Sequence, residues 1–181
     1  VPKPEVRLRD AEVVFVGYGI VAPEFGWDDY AGADVKGKVV LVMNDDPGDD
    51  PAIFAGKTRL YYGRWTYKYE EAARRGAAAA LLIHETRAAA YPWFVVVNSW
   101  GRERFELAAD ADPKTPLAGW ISQEAAKELL ALNGMTYESA LALAVQRSFR
   151  PVILQPRFEA SVCQSIRRVQ SRNVAGVLPG F

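Results

Sequence analysis

The chain has 181 residues, half of them hydrophobic, with 22 basic and 22 acidic side chains and a formal net charge of zero. A chain of this length hides roughly 70% of its unfolded surface and needs neither disulfide nor metal to fold, and the balanced charge argues against nucleic acid as a partner. No apolar run reaches the ~18 residues of a membrane span, and the start, VPKPEVRLRD, lacks the apolar stretch of a signal peptide.

Short β-rich runs bounded by turn residues recur along the chain: EVVFVG (12–17), KVVLVMN (38–44), AALLIH (79–84), FVVVN (94–98) and LAGWIS (117–122). Several are continuously apolar, as strands buried on both faces are, so helices should cover them. The first helix expected is WTYKYEEAARR, where Trp65, Tyr69, Ala72 and Ala73 form one apolar stripe. Arg74 and Arg75 suit its last turn and Gly76 its C-cap. Farther on, Ser122 can cap QEAAKELLALN, with Gly134 ending it, and Thr136 can cap YESALALAVQ. The spacing predicts a helical hairpin packed by Leu129, Leu130, Leu141 and Leu143. The following FRPVILQPRFEASVCQSI returns to β-character, with Pro151 and Pro156 expected at edges or bends. The lone Cys163 cannot form an internal disulfide and reads as a buried small hydrophobe.

Several motifs imitate known chemistry without its context. Gly17-Tyr18-Gly19-Ile20-Val21-Ala22 matches a dinucleotide fingerprint, but Pro23 and EFGWDDYAG follow where a helix must hold the pyrophosphate. Gly56-Lys57-Thr58 resembles the end of a phosphate loop, yet Pro51 stands where its first glycine belongs. The acidic NDDPGDDP (44–51) departs from calcium-loop order and reads as a solvated turn. No G-x-S-x-G is present, and one His with one Cys is too few donors for an ordinary zinc centre. His84, the only histidine, is expected at the end of a buried strand, its ring hydrogen-bonded to the loop running to Tyr91 and Trp93. A hydrolase using His84 as base is the weaker alternative.

Three long stretches resemble the protease-associated domain inserted in zinc aminopeptidases of the transferrin-receptor-like and glutamate-carboxypeptidase-like family. They are VFVGYGIVAPEFGWDDYAGADVKGKVVLVMNDDPG (14–48), YYGRWTYKYEEAARRGAAAALLIHE (61–85) and YPWFVVVNSW (91–100). The resemblance implies an α/β (mixed α+β) fold of the swivelling β/β/α type, a central mixed β-sheet or open barrel flanked by helices. It implies a protease-associated domain over 1–170 and, in SRNVAGVLPGF (171–181), a stub of the peptidase domain that resumes as a strand. Such domains carry no catalytic residues and no metal of their own. The expected partners are the protein's own peptidase domain and a peptide substrate, with zinc held in the parent enzyme behind a His-x-Asp pair lying past this sequence. The parent is expected to be bacterial, and periplasmic or secreted, its export signal absent here; without the resemblance, a cytosolic protein fits equally. Arg64, Trp65, Tyr91 and Trp93 are the candidates for a substrate-facing or interface surface, because arginine and aromatic side chains concentrate at recognition sites. Trp65 also fits plain core packing. An autonomous peptide- or protein-binding module is the alternative function.

Overall fold

A computed structural model describes residues 4–48, 51–107 and 113–180. In chain order its strands are β1 (Glu5–Phe15), β2 (Val21–Ala22), β3 (Trp27–Asp28), β4 (Val39–Met43), β5 (Ala79–His84), β6 (Leu117–Ser122) and β7 (Val152–Cys163). Its helices are α1 (Trp65–Arg74), α2 (Thr86–Ala89), α3 (Trp93–Trp100), α4 (Gln123–Ala131) and α5 (Tyr137–Ala144). Five strands form one sheet in the order β6-β5-β4-β1-β7, while β2 and β3 pair separately. β1, β4, β5 and β6 run parallel and β7 runs antiparallel to β1, so the sheet is mixed; it curls into a half-barrel.

The sequence explains the centre of the sheet directly. Every residue of VVLVM in β4 and AALLIH in β5 is buried, which is why these runs are apolar without alternation. The period-2 pleat still sorts their side chains between two cores. Leu41, Met43 and Ile83 join Phe15, Ala126, Leu130, Tyr137 and Ala140 on the face covered by α4 and α5. Val40, Val42 and Leu82 join Val14, Tyr69 and Ala72 on the face covered by α1. Each fully buried Val, Leu or Phe side chain contributes about 1.5–3 kcal/mol of transfer free energy. The expected mixed α/β sheet flanked by helices is therefore the fold observed.

The helical hairpin forms as its caps predict. The Ser122 hydroxyl accepts from the Ala125 amide at 3.1 Å, and Thr136 and Ser139 form a reciprocal capping box. Gly134 takes the left-handed conformation, φ 68°, and the Met135 amide bonds back to Leu130. Leu130 is buried, and Leu129 and Leu141 pack on the core, but Leu143 is exposed because α5 turns Ala140 and Ala144 inward instead.

Three expectations fail. FVVVN is not a strand; it lies inside α3, with Pro92 at the N-cap setting the backbone for the first turn. Cys163 is exposed, because the far end of β7 pairs with Glu5 beyond the covered part of the sheet. The acidic 44–51 loop is not simply solvated: Asn44 and Asp46 are buried and Asp45 is ion-paired, while Asp49 and Asp50 lie outside the described residues. Pro156 behaves as expected, sitting at a register shift in the edge strand β7.

Candidate contact surface

α3 and β6 border an open groove of about 350 Å³ lined by Trp93, Val96, Val97, Trp100, Gly119 and Trp120. Trp93, Val96, Val97 and Trp100 fall at i, i+3, i+4 and i+7, so one face of α3 supplies the wall. Small residues on β6 supply the floor. Gly119 packs closely there: a Cβ on it would approach Leu81 Cδ2 to 3.2 Å, so that side chain would have to shift by a few tenths of an ångström. The Tyr69 hydroxyl donates to the Gly119 carbonyl at 2.7 Å, tying α1 to the same strand.

Rings meet one another across this region. Trp65 lies 5.4 Å from Trp100 edge-to-face, and Trp100 lies 6.1 Å from Trp120. His84 lies 6.2 Å from Trp120, 5.5 Å from Trp93 and 5.6 Å from Tyr91. Such offset and edge-to-face pairs add about 0.5–1.5 kcal/mol each beyond burial. Of the four residues singled out from sequence, Trp65, Tyr91 and Trp93 therefore belong to one aromatic network. Arg64 stands exposed at the N-cap of α1, next to Trp65. Trp65 is half-buried against Tyr69 and Trp100, so it serves the packing of α1 as well as the network.

His84 is 2% exposed, and its Nε2–H donates to the Tyr91 carbonyl at 3.0 Å. The ring is thus a structural clamp holding the start of α3 to the end of β5, as the sequence suggests. Trp100 and Trp120 escaped the sequence reading, being 20 residues apart and joined only by tertiary structure. The one available signal was the i, i+3, i+7 recurrence of Trp93, Val96 and Trp100.

A second cluster lies where β1 and β4 end and α1 begins. Lys68 is wholly buried, with no hydrogen-bond partner for its ammonium, which sits 5.7 Å over the Tyr18 ring and 5.9 Å over that of Tyr67. Burial pulls its pKa below the ordinary lysine value; the charges of Asp29, Asp46 and Asp45 oppose the shift and Arg59 adds to it. Asp29 is also buried, accepting from the Ile20 amide at 2.9 Å and the Trp27 indole N–H at 2.8 Å. Burial drives its carboxyl above the usual range against those bonds and the Lys68 charge. Asp46 is pushed up to about 6, first by burial and next by Asp45. Asp45 pairs with Arg59 through two contacts of 2.7 and 2.8 Å, and Arg59 also donates to the Ala88 carbonyl.

This polar cluster does not suit a bound cation, since Lys68 and Arg59 already supply positive charge among its carboxylates. The donor set elsewhere does not suit zinc: His84 is spent on Tyr91, and the described residues bring no three His, Cys, Asp or Glu side chains together. The Gly17 and Gly19 turn does not receive a phosphate in the dinucleotide manner either. Both glycines are left-handed, Gly17 accepts from the Met43 amide at 2.8 Å, and the chain continues into β2 rather than a helix. No helix among the described residues is long and apolar enough to cross a membrane.

A mixed half-barrel sheet with helices on both faces and an aromatic groove beside its β6 edge defines a small α/β domain. The sequence model of the PA domain family matches residues 10–129, well over half of the chain, and the chain belongs to that family of protease-associated modules. No curated protein and no solved structure matches it significantly.

Proposed function

We propose that this domain is the non-catalytic protease-associated module of a zinc-dependent aminopeptidase, set beside the active site, where its α3–β6 face shapes or covers the peptide cleft. Membership of the PA domain family carries the reading. Two features support it. The first and last strands are neighbours in the sheet, with Glu5 opposite Cys163 and the Gln164 amide bonded to the Pro4 carbonyl at 2.9 Å. The chain therefore enters and leaves side by side, as an insertion between two points of a host requires. Past β7, Val174, Val177 and Leu178 stand almost wholly exposed, apolar side chains that a following domain would cover.

In this reading residues 171–181 resume the peptidase domain, and the host supplies the His, Asp and Glu ligands. Zinc held by those host ligands would supply an activated water for hydrolysis of the N-terminal peptide bond. This chain's own part is steric and adhesive: α3 and β6 present tryptophan faces, and His84 holds the start of α3 in place. The host is exported, periplasmic or secreted. Reading the coding sequence past Phe181 tests the proposal. A His-x-Asp pair within the next few dozen codons is expected, and its absence would contradict it.

A further inference from the structure

The two edges of the main sheet are treated differently by the sequence. β7, at one edge, carries Pro156, Arg157 and Glu159 and breaks register with β1 at two places. Those are the devices by which native proteins prevent another strand from adding. β6, at the other edge, is Leu-Ala-Gly-Trp-Ile-Ser, without charge, proline or bulge, in unbroken register with β5 from Leu117 to Ser122. Apart from the Tyr69 hydroxyl on the Gly119 carbonyl, no backbone group from Leu117 to Ile121 is bonded outside the β5 ladder among the described residues. Among those residues the outward amides and carbonyls of this stretch are open next to the aromatic groove.

The groove and its rim add chemistry to that edge. The Trp120 indole N–H is buried with no acceptor, an arrangement that buried tryptophans usually avoid. At the rim, the Arg104 guanidinium lies 3.9 Å over the Trp100 ring, and Arg102 donates to the Asn98 side chain, its one hydrogen-bond partner among the described residues. The neighbouring described carboxylates pair elsewhere, Glu103 with Arg167 and Glu106 with Lys114. Among the described residues, the two guanidiniums thus have no carboxylate paired with them.

We infer that the outer edge of β6 binds an extended peptide by strand addition, with alternate apolar side chains in the α3 groove and a carboxylate against Arg102 and Arg104. Main-chain bonds supply affinity in this mode and the groove supplies side-chain preference. The inference rests on the α3–β6 face being the contact surface of the proposed function, and it names what that face holds: the acidic, apolar peptide itself rather than a second copy of this chain.

The test is titration of the 181-residue chain, followed by tryptophan fluorescence, with three capped hexapeptides that alternate valine and serine. One begins with glutamate, one with lysine, and one is the glutamate peptide N-methylated at alternate positions. The expected order is the glutamate peptide at least fivefold tighter than the lysine peptide and at least tenfold tighter than the methylated one. Arg104→Glu, an exposed substitution, is expected to reverse the first preference. Equal binding of the methylated peptide would overturn strand addition, and equal binding of glutamate and lysine peptides would overturn the role of the arginines. Absence of binding, or self-association that the peptide does not reverse, would overturn the whole inference. Failure here leaves the host kinetics described below to be judged separately.

Discussion

Lys68→Met tests whether a buried charge is tolerated in this fold at a cost. The ammonium is wholly buried and, among the described residues, has no hydrogen-bond partner and forms no ion pair. A buried ion costs several kcal/mol even after relaxation, and the Tyr18 and Tyr67 rings at 5.7 and 5.9 Å offset about 0.5–2 kcal/mol each. Methionine has a similar length and suits an irregular apolar slot. The balance favours the variant by about 1–3 kcal/mol at pH 5.5, where the raised carboxyls of Asp29 and Asp46 can hold protons and no buried anion is stranded. The pH dependence has a definite sign. Lys68 is depressed, so the native protein binds fewer protons than the unfolded chain between that lowered value and about 10.4, and its stability rises with pH there. Asp29 and Asp46 are raised, so their contribution is lost as pH climbs from about 3.9 through their folded values, and Asp29 climbs further without the lysine charge. The variant's advantage should therefore shrink steadily from pH 5.5 to 9. Urea unfolding across that range measures it. A variant less stable than the parent by 1 kcal/mol or more at pH 5.5, or a difference that does not change with pH, would refute the reasoning.

Other outcomes follow from single contacts. Asp29→Ala strands the buried Ile20 amide and Trp27 indole N–H, and should cost about 2–5 kcal/mol in urea unfolding, whereas a loss under 1 kcal/mol would mean that those donors find other acceptors. Thr136→Ala removes one arm of the capping box and should cost about 1 kcal/mol by thermal melt, with no change meaning that Ser139 suffices alone. Gly19→Ala forces a side chain into a left-handed residue, φ 62°, with its Cβ 3.0 Å from Val42 Cγ1. It should destabilise by about 1–3 kcal/mol, and a neutral result in the same melt would show that the turn can relax.

What the sequence made legible follows its periodicities. β4 and β5 were readable because unbroken apolar runs of five or six residues between turn formers have few other places to go. The hairpin was readable from Ser122, Thr136 and Gly134, since capping chemistry is local. α3 was misread because Phe94, Val95, Val96 and Val97 favour strands locally, and the Trp93, Val96 and Trp100 spacing that binds it to β6 outweighs that preference only once β6 is in place. The burial of Lys68 had only a weak sequence signal. In WTYKYEEAARR it stands three residues after Trp65 and four before Ala72, bordering the apolar stripe, where a lysine ordinarily marks the solvated flank; α1 also buries Tyr67 and Glu71, so the helix is covered well beyond that stripe. The aromatic network was half legible: Trp65, Tyr91 and Trp93 stood out by residue type, whereas Trp100 and Trp120 join them only through the fold.

The most direct test of the proposed contact role is steady-state kinetics of the proposed host peptidase, comparing Val97→Asp with the unsubstituted enzyme on an amino-acid amide and on a long apolar peptide. Val97 is half exposed on the groove wall, so an aspartate there alters the surface without entering the core. The account predicts that the ratio of kcat/KM for the long peptide to that for the amide falls at least threefold. A ratio that does not move, or peptide cleavage by the isolated 181-residue chain, would contradict it.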